Sequence, residues 1–238
     1  MSERDRPLIY GHRGASADHP ENSLEAFAGA RGQGADGVEL DVRLARDGAL
    51  IVHHDAWYRD GRTVWSTPAE QRPEGVPLLS ESLDACTGLR VNVEIKNSAG
   101  DLGGDVTWSV EAADAVVELL AVRRSAGSSD DVIVSSFDAA TLDRVRALDE
   151  HLETGLLVFD LRADPDAARR AADRGHDALH PWDPFVDDAL LEACRSLGLA
   201  LNTWTVDDDE RIRSLAGLGV DGIITNVPAM ARRALGRT

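Results

Sequence analysis

Short apolar runs rich in Val, Ile and Leu alternate along the chain with longer stretches whose apolar residues recur at helical spacing. The runs Leu8–Gly11, Val38–Val42, Leu50–His53, Val91–Ile95, Val132–Ser135, Gly155–Val158, Ala178–His180, Leu199–Trp204 and Gly222–Thr225 read as strands. Between most of them lie stretches that read as helices: Ser23–Arg31, Val106–Arg124, Ala139–Leu148, Pro165–Arg174, Val186–Leu197 and Asp208–Leu218. Helix-start residues precede several of these, such as Asn22-Ser23 and Asp207-Asp208. This alternation predicts parallel βα units.

Nine strands is one more than a closed eightfold barrel holds. Only seven residues separate Val42 from Leu50, and they include Arg46-Asp47-Gly48. A parallel crossover needs a dozen or more residues, whereas Asp-Gly favours a tight hairpin. Leu50–His53 is therefore predicted to fold back antiparallel on the second strand, leaving eight parallel ones. The expected fold is α/β, a (β/α)8 TIM barrel with a hairpin-containing insertion, residues 43–90, between strands 2 and 3. No linker or low-complexity tract divides the sequence, so residues 1–238 are expected to form a single domain. The alternative, a doubly wound open sheet, lacks a Gly-rich phosphate loop between the first strand and first helix.

Composition narrows the function classes. In 238 residues, 25 Lys and Arg face 42 Asp and Glu, a formal charge of −17. That balance argues against nucleic-acid binding and against polybasic docking to anionic lipid. No run approaches the roughly 18 apolar residues of a membrane span, and no secretory signal follows the N-terminus. A cytoplasmic protein without stable membrane association is the expectation. Cys86 and Cys194, far apart and without metal-ligand spacing, are read as buried reduced thiols.

In such a barrel the C-terminal ends of the strands line the site mouth. Here they carry His12-Arg13-Gly14, Glu39 with Asp41, His53-His54-Asp55, Glu94 with Lys96, Ser135-Ser136-Phe137, Asn202-Thr203-Trp204-Thr205 and Thr225-Asn226. Residues at i and i+2 share a face, so Glu39 and Asp41 point one way and Glu94 and Lys96 share a face on the adjoining strand. Three converging carboxylates repel one another, and a hard divalent cation with all-oxygen ligands, Mg²⁺ or Ca²⁺, offsets that repulsion. Ion pairing of the same acids with Arg13, Arg43 and Lys96 is the competing structural reading. Lys96 is the single lysine beside 24 arginines, which suggests a place where a guanidinium fork fits badly. His12 and His54 are the candidate proton-transfer pair, and Arg13 a candidate anion donor. His53 faces away from His54 by alternation and is given a structural role. His19, His151 and His176 are expected on the solvated surface.

These residues carry a resemblance. Gly11-His12-Arg13-Gly14, Pro20-Glu21-Asn22-Ser23, the stretch from Gly34 to Val42, Arg46-Asp47-Gly48 with His54-Asp55, Val93-Glu94-Ile95-Lys96, Ser135-Ser136-Phe137, Asn202-Thr203-Trp204-Thr205-Val206 and Thr225-Asn226-Val227-Pro228 occur in order from about residue 8 to 235. In this the chain resembles the glycerophosphodiester phosphodiesterase family. The resemblance implies a phospholipase-C-like barrel and metal-dependent hydrolysis of small glycerophosphodiesters to glycerol 3-phosphate and an alcohol. It implies Glu39, Asp41 and Glu94 as metal ligands, His12 and His54 as the acid/base pair, and Arg13 and Lys96 on the phosphate. Glu21 would support Arg13 or simply start a helix. Phe137 and Trp204 would wall the glycerol carbons or be rim aromatics. The sequence departs from the family over Ala56–Val64, where an Arg-Thr-Thr element usually follows His-Asp, leaving the leaving-group side open. A lysophospholipase-D-like enzyme with Trp57, Tyr58 and Trp65 as an apolar lip, or a non-catalytic phosphodiester-binding barrel, are the alternatives.

Overall fold

A computed structural model describes residues 6–96 and 108–237. Nine strands form one sheet: β1 (Leu8–His12), β2 (Gly37–Leu44), β3 (Leu50–Val52), β4 (Arg90–Ile95), β5 (Asp131–Ser136), β6 (Glu153–Val158), β7 (Ala178–Pro181), β8 (Ala200–Thr203) and β9 (Gly222–Thr225). Eight of them pair in parallel in the order β1-β9-β8-β7-β6-β5-β4-β2, and a further β1–β2 pairing closes the barrel. The ninth, β3, pairs antiparallel with β2, Val42 opposite Val52 and Leu44 opposite Leu50. Gly48, at φ +82°, supplies the left-handed residue of the turn between them. The predicted barrel with its appended hairpin is thus the observed one. The second strand runs to Leu44, two residues into the stretch read as insertion.

Eight helices accompany the strands among the described residues: α1 (Leu24–Gly32), α2 (Leu79–Ala85), α3 (Trp108–Ser125), α4 (Ala139–Leu148), α5 (Ala167–Asp173), α6 (Asp188–Ser196), α7 (Asp209–Leu218) and α8 (Pro228–Ala234). Ser23, Asp138, Asp187 and Asp208 cap α1, α4, α6 and α7 by accepting backbone N–H groups of the first turn. The predicted helix from Val106 begins outside the described residues, since 106 and 107 are not among them. No helix in the described part is long and apolar enough to cross a membrane.

Outward-facing strand residues such as Val38, Leu40, Val91, Val93, Val134, Leu179 and Ile223 are buried beneath the helices with Phe27, Leu142 and Ile212. The barrel interior is more polar, holding Tyr10, Asn92, Ser135, His180 and Asn202. His180 fills the space left by a missing side chain opposite, for a Cβ on Gly155 would lie 2.5 Å from its Nε2. Burial pulls the His180 imidazole down to about 3, so it packs as the neutral ring. The insertion has its own small core of Ala45, Ile51, Tyr58 and Val64. One expectation fails here. His176 was placed on the surface, yet it is 4% exposed, with Nδ1 3.1 Å from Thr154 Oγ1. His151 is exposed and His19 half-buried. Both cysteines are buried and free.

Candidate active site

At the end of β1 the backbone turns through two left-handed residues, Arg13 at φ +56° and Gly14 at φ +86°. Gly14 has no substitute, since a Cβ there would lie 2.5 Å from the Ala26 carbonyl carbon. Arg13 carries a strain of about 1 kcal/mol in this conformation. The turn aims its backbone N–H at Glu39 Oε2 (2.9 Å) and its guanidinium at Asp41 Oδ2 (3.2 Å) and Glu21 Oε2 (2.9 Å).

Register then assembles the acids. His12 pairs with Glu39 across β1 and β2, and Asp41 with Glu94 across β2 and β4. Glu39, Asp41 and Glu94 are all buried, and one oxygen of each lies within 4.8 Å of the others. Asn22 clamps Asp41, donating from Nδ2 to Oδ2 (2.8 Å) and accepting from its backbone N–H (3.2 Å). Lys96 Nζ stands 2.9 Å from Glu94 Oε1 and 3.9 Å from Asp41 Oδ1. Glu39 Oε1 and Asp41 Oδ1, though buried, accept no hydrogen bond.

At an effective dielectric near 20, each charged pair at this spacing repels by about 3 kcal/mol. Burial, with Asp41 and Glu94 beside it, pushes Glu39 well above the usual carboxylate range. Burial likewise lifts Glu94 to about 7 against the pull of Lys96. For Asp41 burial is outweighed by Lys96 and Arg13, and its carboxyl is held below the ordinary value. Three carboxylates with unpartnered oxygens form a donor set that fits a hard divalent cation.

Two histidines face this cluster, and hydrogen bonds fix their tautomers. Asp207 Oδ2 accepts from Asn226 Nδ2 (2.5 Å), while Oδ1 accepts from Asn226 N (2.8 Å) and Thr225 Oγ1 (2.9 Å). A carboxylate only accepts, so the Asn226 amide must turn its Oδ1 the other way, toward His12 Nδ1 at 2.7 Å. His12 therefore carries its proton on Nδ1 and presents a lone pair on Nε2, 3.9 Å from Glu39 Oε2. Burial, aided by Arg13, lowers its pKa and favours the neutral ring. His54 Nδ1 bonds Asp55 Oδ1 at 2.8 Å, which leaves Nε2 free in the same way. That bond to His54 holds the Asp55 carboxyl below its usual range.

Arg43 secures the loop bearing His54. Buried beneath it, Arg43 donates from Nε and Nη2 to the His54 carbonyl (2.8 and 2.6 Å) and from Nη1 to the Lys96 carbonyl (2.9 Å). Of the ion pairs in the competing structural reading, Arg13 with Asp41 and Lys96 with Glu94 are present, whereas these three bonds of Arg43 go to two backbone carbonyls. His53 points elsewhere, as alternation requires, its ring edge-on to Tyr58 at 5.1 Å.

A cavity of about 230 Å³ lies over the acids, with His12, His54, Arg13 and Lys96 on its polar side. Phe137 and Trp204 stand on the other, edge to face at 5.6 Å, with Lys96 Nζ 5.6 Å from the Phe137 centroid. Eight of the nine residues singled out from the sequence line this cavity, and the ninth, Asp41, is buried with one oxygen within 4.8 Å of Glu39 and Glu94. Asn226 appeared in sequence as a strand end and within the closing Thr225–Pro228 motif, and Asp207 only as a helix-start residue; their partnership depends on hydrogen-bond direction, which no spacing encodes. Of the proposed apolar lip, Tyr58 is buried, and Trp57 and Trp65 pack edge to face against each other.

Comparison with known proteins is extensive. The model of the glycerophosphoryl diester phosphodiesterase family matches residues 12–230. A glycerophosphodiester phosphodiesterase of Caldanaerobacter subterraneus subsp. tengcongensis is 31% identical over 237 residues, covering 94% of this chain and 95% of that one. The crystal structure of a glycerophosphodiester phosphodiesterase from Thermotoga maritima superposes with a TM-score of 0.79 at 28% identity, over 95% and 97% of the two chains. An Oleispira antarctica phosphodiesterase, solved with the product sn-glycerol-3-phosphate, shares the fold at a TM-score of 0.85 and 24% identity, over 97% of each chain.

Proposed function

The chain belongs to the glycerophosphoryl diester phosphodiesterase family, and on that premise we propose that it hydrolyses soluble glycerophosphodiesters, such as glycerophosphocholine or glycerophosphoethanolamine, to glycerol 3-phosphate and an alcohol. The observation that carries this reading is the set of buried carboxylate oxygens without hydrogen bonds, facing two histidines whose Nε2 atoms are free. Glu39, Asp41 and Glu94 would hold one divalent cation, Mg²⁺ or Ca²⁺. When bound, the cation supplies positive charge that acidifies a glycerol hydroxyl and offsets charge at phosphorus in the transition state.

The remaining work falls to the chain's own side chains. Arg13 and Lys96 hold the phosphate by charge, and Phe137 and Trp204 flank the glycerol carbons. His12 Nε2 takes the proton of the glycerol 2-hydroxyl, whose oxygen attacks phosphorus. His54 enters this step protonated on both ring nitrogens, Nδ1 held by Asp55, and gives its Nε2 proton to the departing alcohol. Water then opens the cyclic phosphate with the two roles reversed. The reaction needs no lipid surface, and we place the enzyme in the cytoplasm.

The test is product analysis with glycerophosphocholine and its 2-deoxy analogue. Equimolar glycerol 3-phosphate and choline from the first, with no turnover of the second, is the expected result. Undiminished turnover of the 2-deoxy compound would replace the cyclic route with direct attack by water. No product from either, with Mg²⁺ or Ca²⁺ present, would refute the proposed activity.

A further inference from the structure

The floor of the cavity carries a polar side chain that neither the phosphate nor the two proton transfers engage. Asn92, on β4, lines the cavity and is 2% exposed. It lies two residues before Glu94 on the same strand, so it shares that acid's inward face about 7 Å deeper in the barrel. Its Oδ1 is buried without a hydrogen-bond partner, and its Nδ2 donates to no described residue. Register places it further: His12 pairs with Glu39, and Glu39 with Asn92, so the three stand in one line across β1, β2 and β4. At about 4.8 Å per strand, the backbones of His12 and Asn92 come within roughly 10 Å, with Glu39 between them.

A buried amide with both ends unpaired is costly to the fold, and a ligand that bonds it recovers that cost. The other nitrogen-bearing groups around the cavity are engaged. His12 bonds Asn226, Arg13 pairs with Glu21 and Asp41, His54 bonds Asp55, and Lys96 pairs with Glu94. On the substrate, the phosphate meets Arg13 and Lys96, the 2-hydroxyl meets His12 and the departing alcohol meets His54. The C1 hydroxyl is the polar group left over. The apolar wall of Phe137, Leu157, Phe159, Trp204 and Ile224 offers it nothing, since Trp204 Nε1 already donates to the His180 carbonyl at 2.8 Å. With the 2-hydroxyl held at His12, the neighbouring C1 hydroxyl extends along the line through Glu39 to the amide. A hydroxyl both donates and accepts, and an amide held at neither end can offer Oδ1 or Nδ2.

Resting on the phosphodiesterase reading above, we propose that Asn92 binds the C1 hydroxyl of the glycerol unit and makes that hydroxyl a condition of efficient turnover. Asn92 is then a specificity residue that takes no part in making or breaking bonds. It separates glycerol from a diol that keeps the nucleophilic 2-hydroxyl but ends in a methyl group. Against that methyl the amide stays buried and unpaired.

The experiment compares glycerophosphocholine with its 1-deoxy analogue, propane-1,2-diol 1-phosphocholine, in wild type and in Asn92→Leu, which nearly conserves volume. Choline release is followed with Mg²⁺ or Ca²⁺ present. In wild type, kcat/KM for glycerophosphocholine should exceed that for the analogue at least tenfold, and in the variant the ratio should fall below threefold. General damage to the site lowers both substrates alike and leaves the ratio unmoved, so the ratio reads the hydroxyl contact. A thermal melt verifies folding, and Asn92→Ala takes the place of Asn92→Leu if the latter does not fold. Equal turnover of the two diesters by wild type would overturn the inference and leave the parent activity standing. A folded variant that keeps the tenfold ratio would overturn it equally. Choline release from neither diester would refute the parent activity, and this inference with it.

Discussion

At the scale of single residues, His12 depends on two side chains that never reach the cavity. Asp207 fixes the Asn226 amide, and that amide fixes which nitrogen of His12 carries the proton. Asp207→Asn keeps the shape but lets the amide of Asn226 sit either way round. The expected outcome is a fall in kcat of about tenfold, with KM nearly unchanged, because only proton transfer is affected. Steady-state kinetics checks it, and nitrogen chemical shifts of labelled histidine report the tautomer directly. Glu39, Asp41, Glu94 and Lys96 were legible in sequence because strand alternation fixes their shared face, and His12, Arg13 and His54 because they stand at strand ends. Asp207 was not, because its partner comes from another loop and the link runs through an amide whose orientation spacing does not encode.

At the scale of elements, the hairpin of β2 and β3 delivers His54 to the site. Its turn was legible from Asp47-Gly48 and its short length, and the register decides that His54 rather than His53 faces the acids. Arg43 then pins the loop through the His54 and Lys96 carbonyls. Arg43→Leu strips those buried carbonyls of a charged donor. It should cost about 2 kcal/mol of stability and lower kcat at least tenfold. Urea unfolding and turnover measured on the same protein check both effects. Two elements escaped the sequence reading. The helix α2 lies inside the stretch read as insertion and α8 follows the last strand, so no pair of barrel strands brackets either one, whereas the equally short α5 lies between β6 and β7. The burial of His176 escaped too, since its position in the turn before β7 resembles any polar loop residue until the barrel closes over it.

At the scale of the molecule, the barrel keeps a polar interior that must stay neutral. His180 has a folded value of about 3, against an ordinary 6.5 when the chain is unfolded. Its contribution is therefore complete above pH 6.5 and declines as pH falls toward 3, because the unfolded state binds the proton first. By pH 5 this amounts to about 2 kcal/mol. His180→Leu should show a shallower loss of stability between pH 7 and pH 5 than wild type, by about that amount, in urea titrations at both pH values. The barrel's central claim concerns its mouth, where the closed β1–β2–β4 register forces three carboxylates together. The most direct test is release of glycerol 3-phosphate from glycerophosphocholine by metal-stripped protein, before and after Mg²⁺ or Ca²⁺ is restored, beside folded Glu39→Ala. The account predicts no release when stripped, recovery with the cation, and a loss of at least a hundredfold in the variant. Full activity in the stripped protein, or a variant as active as wild type, would contradict it.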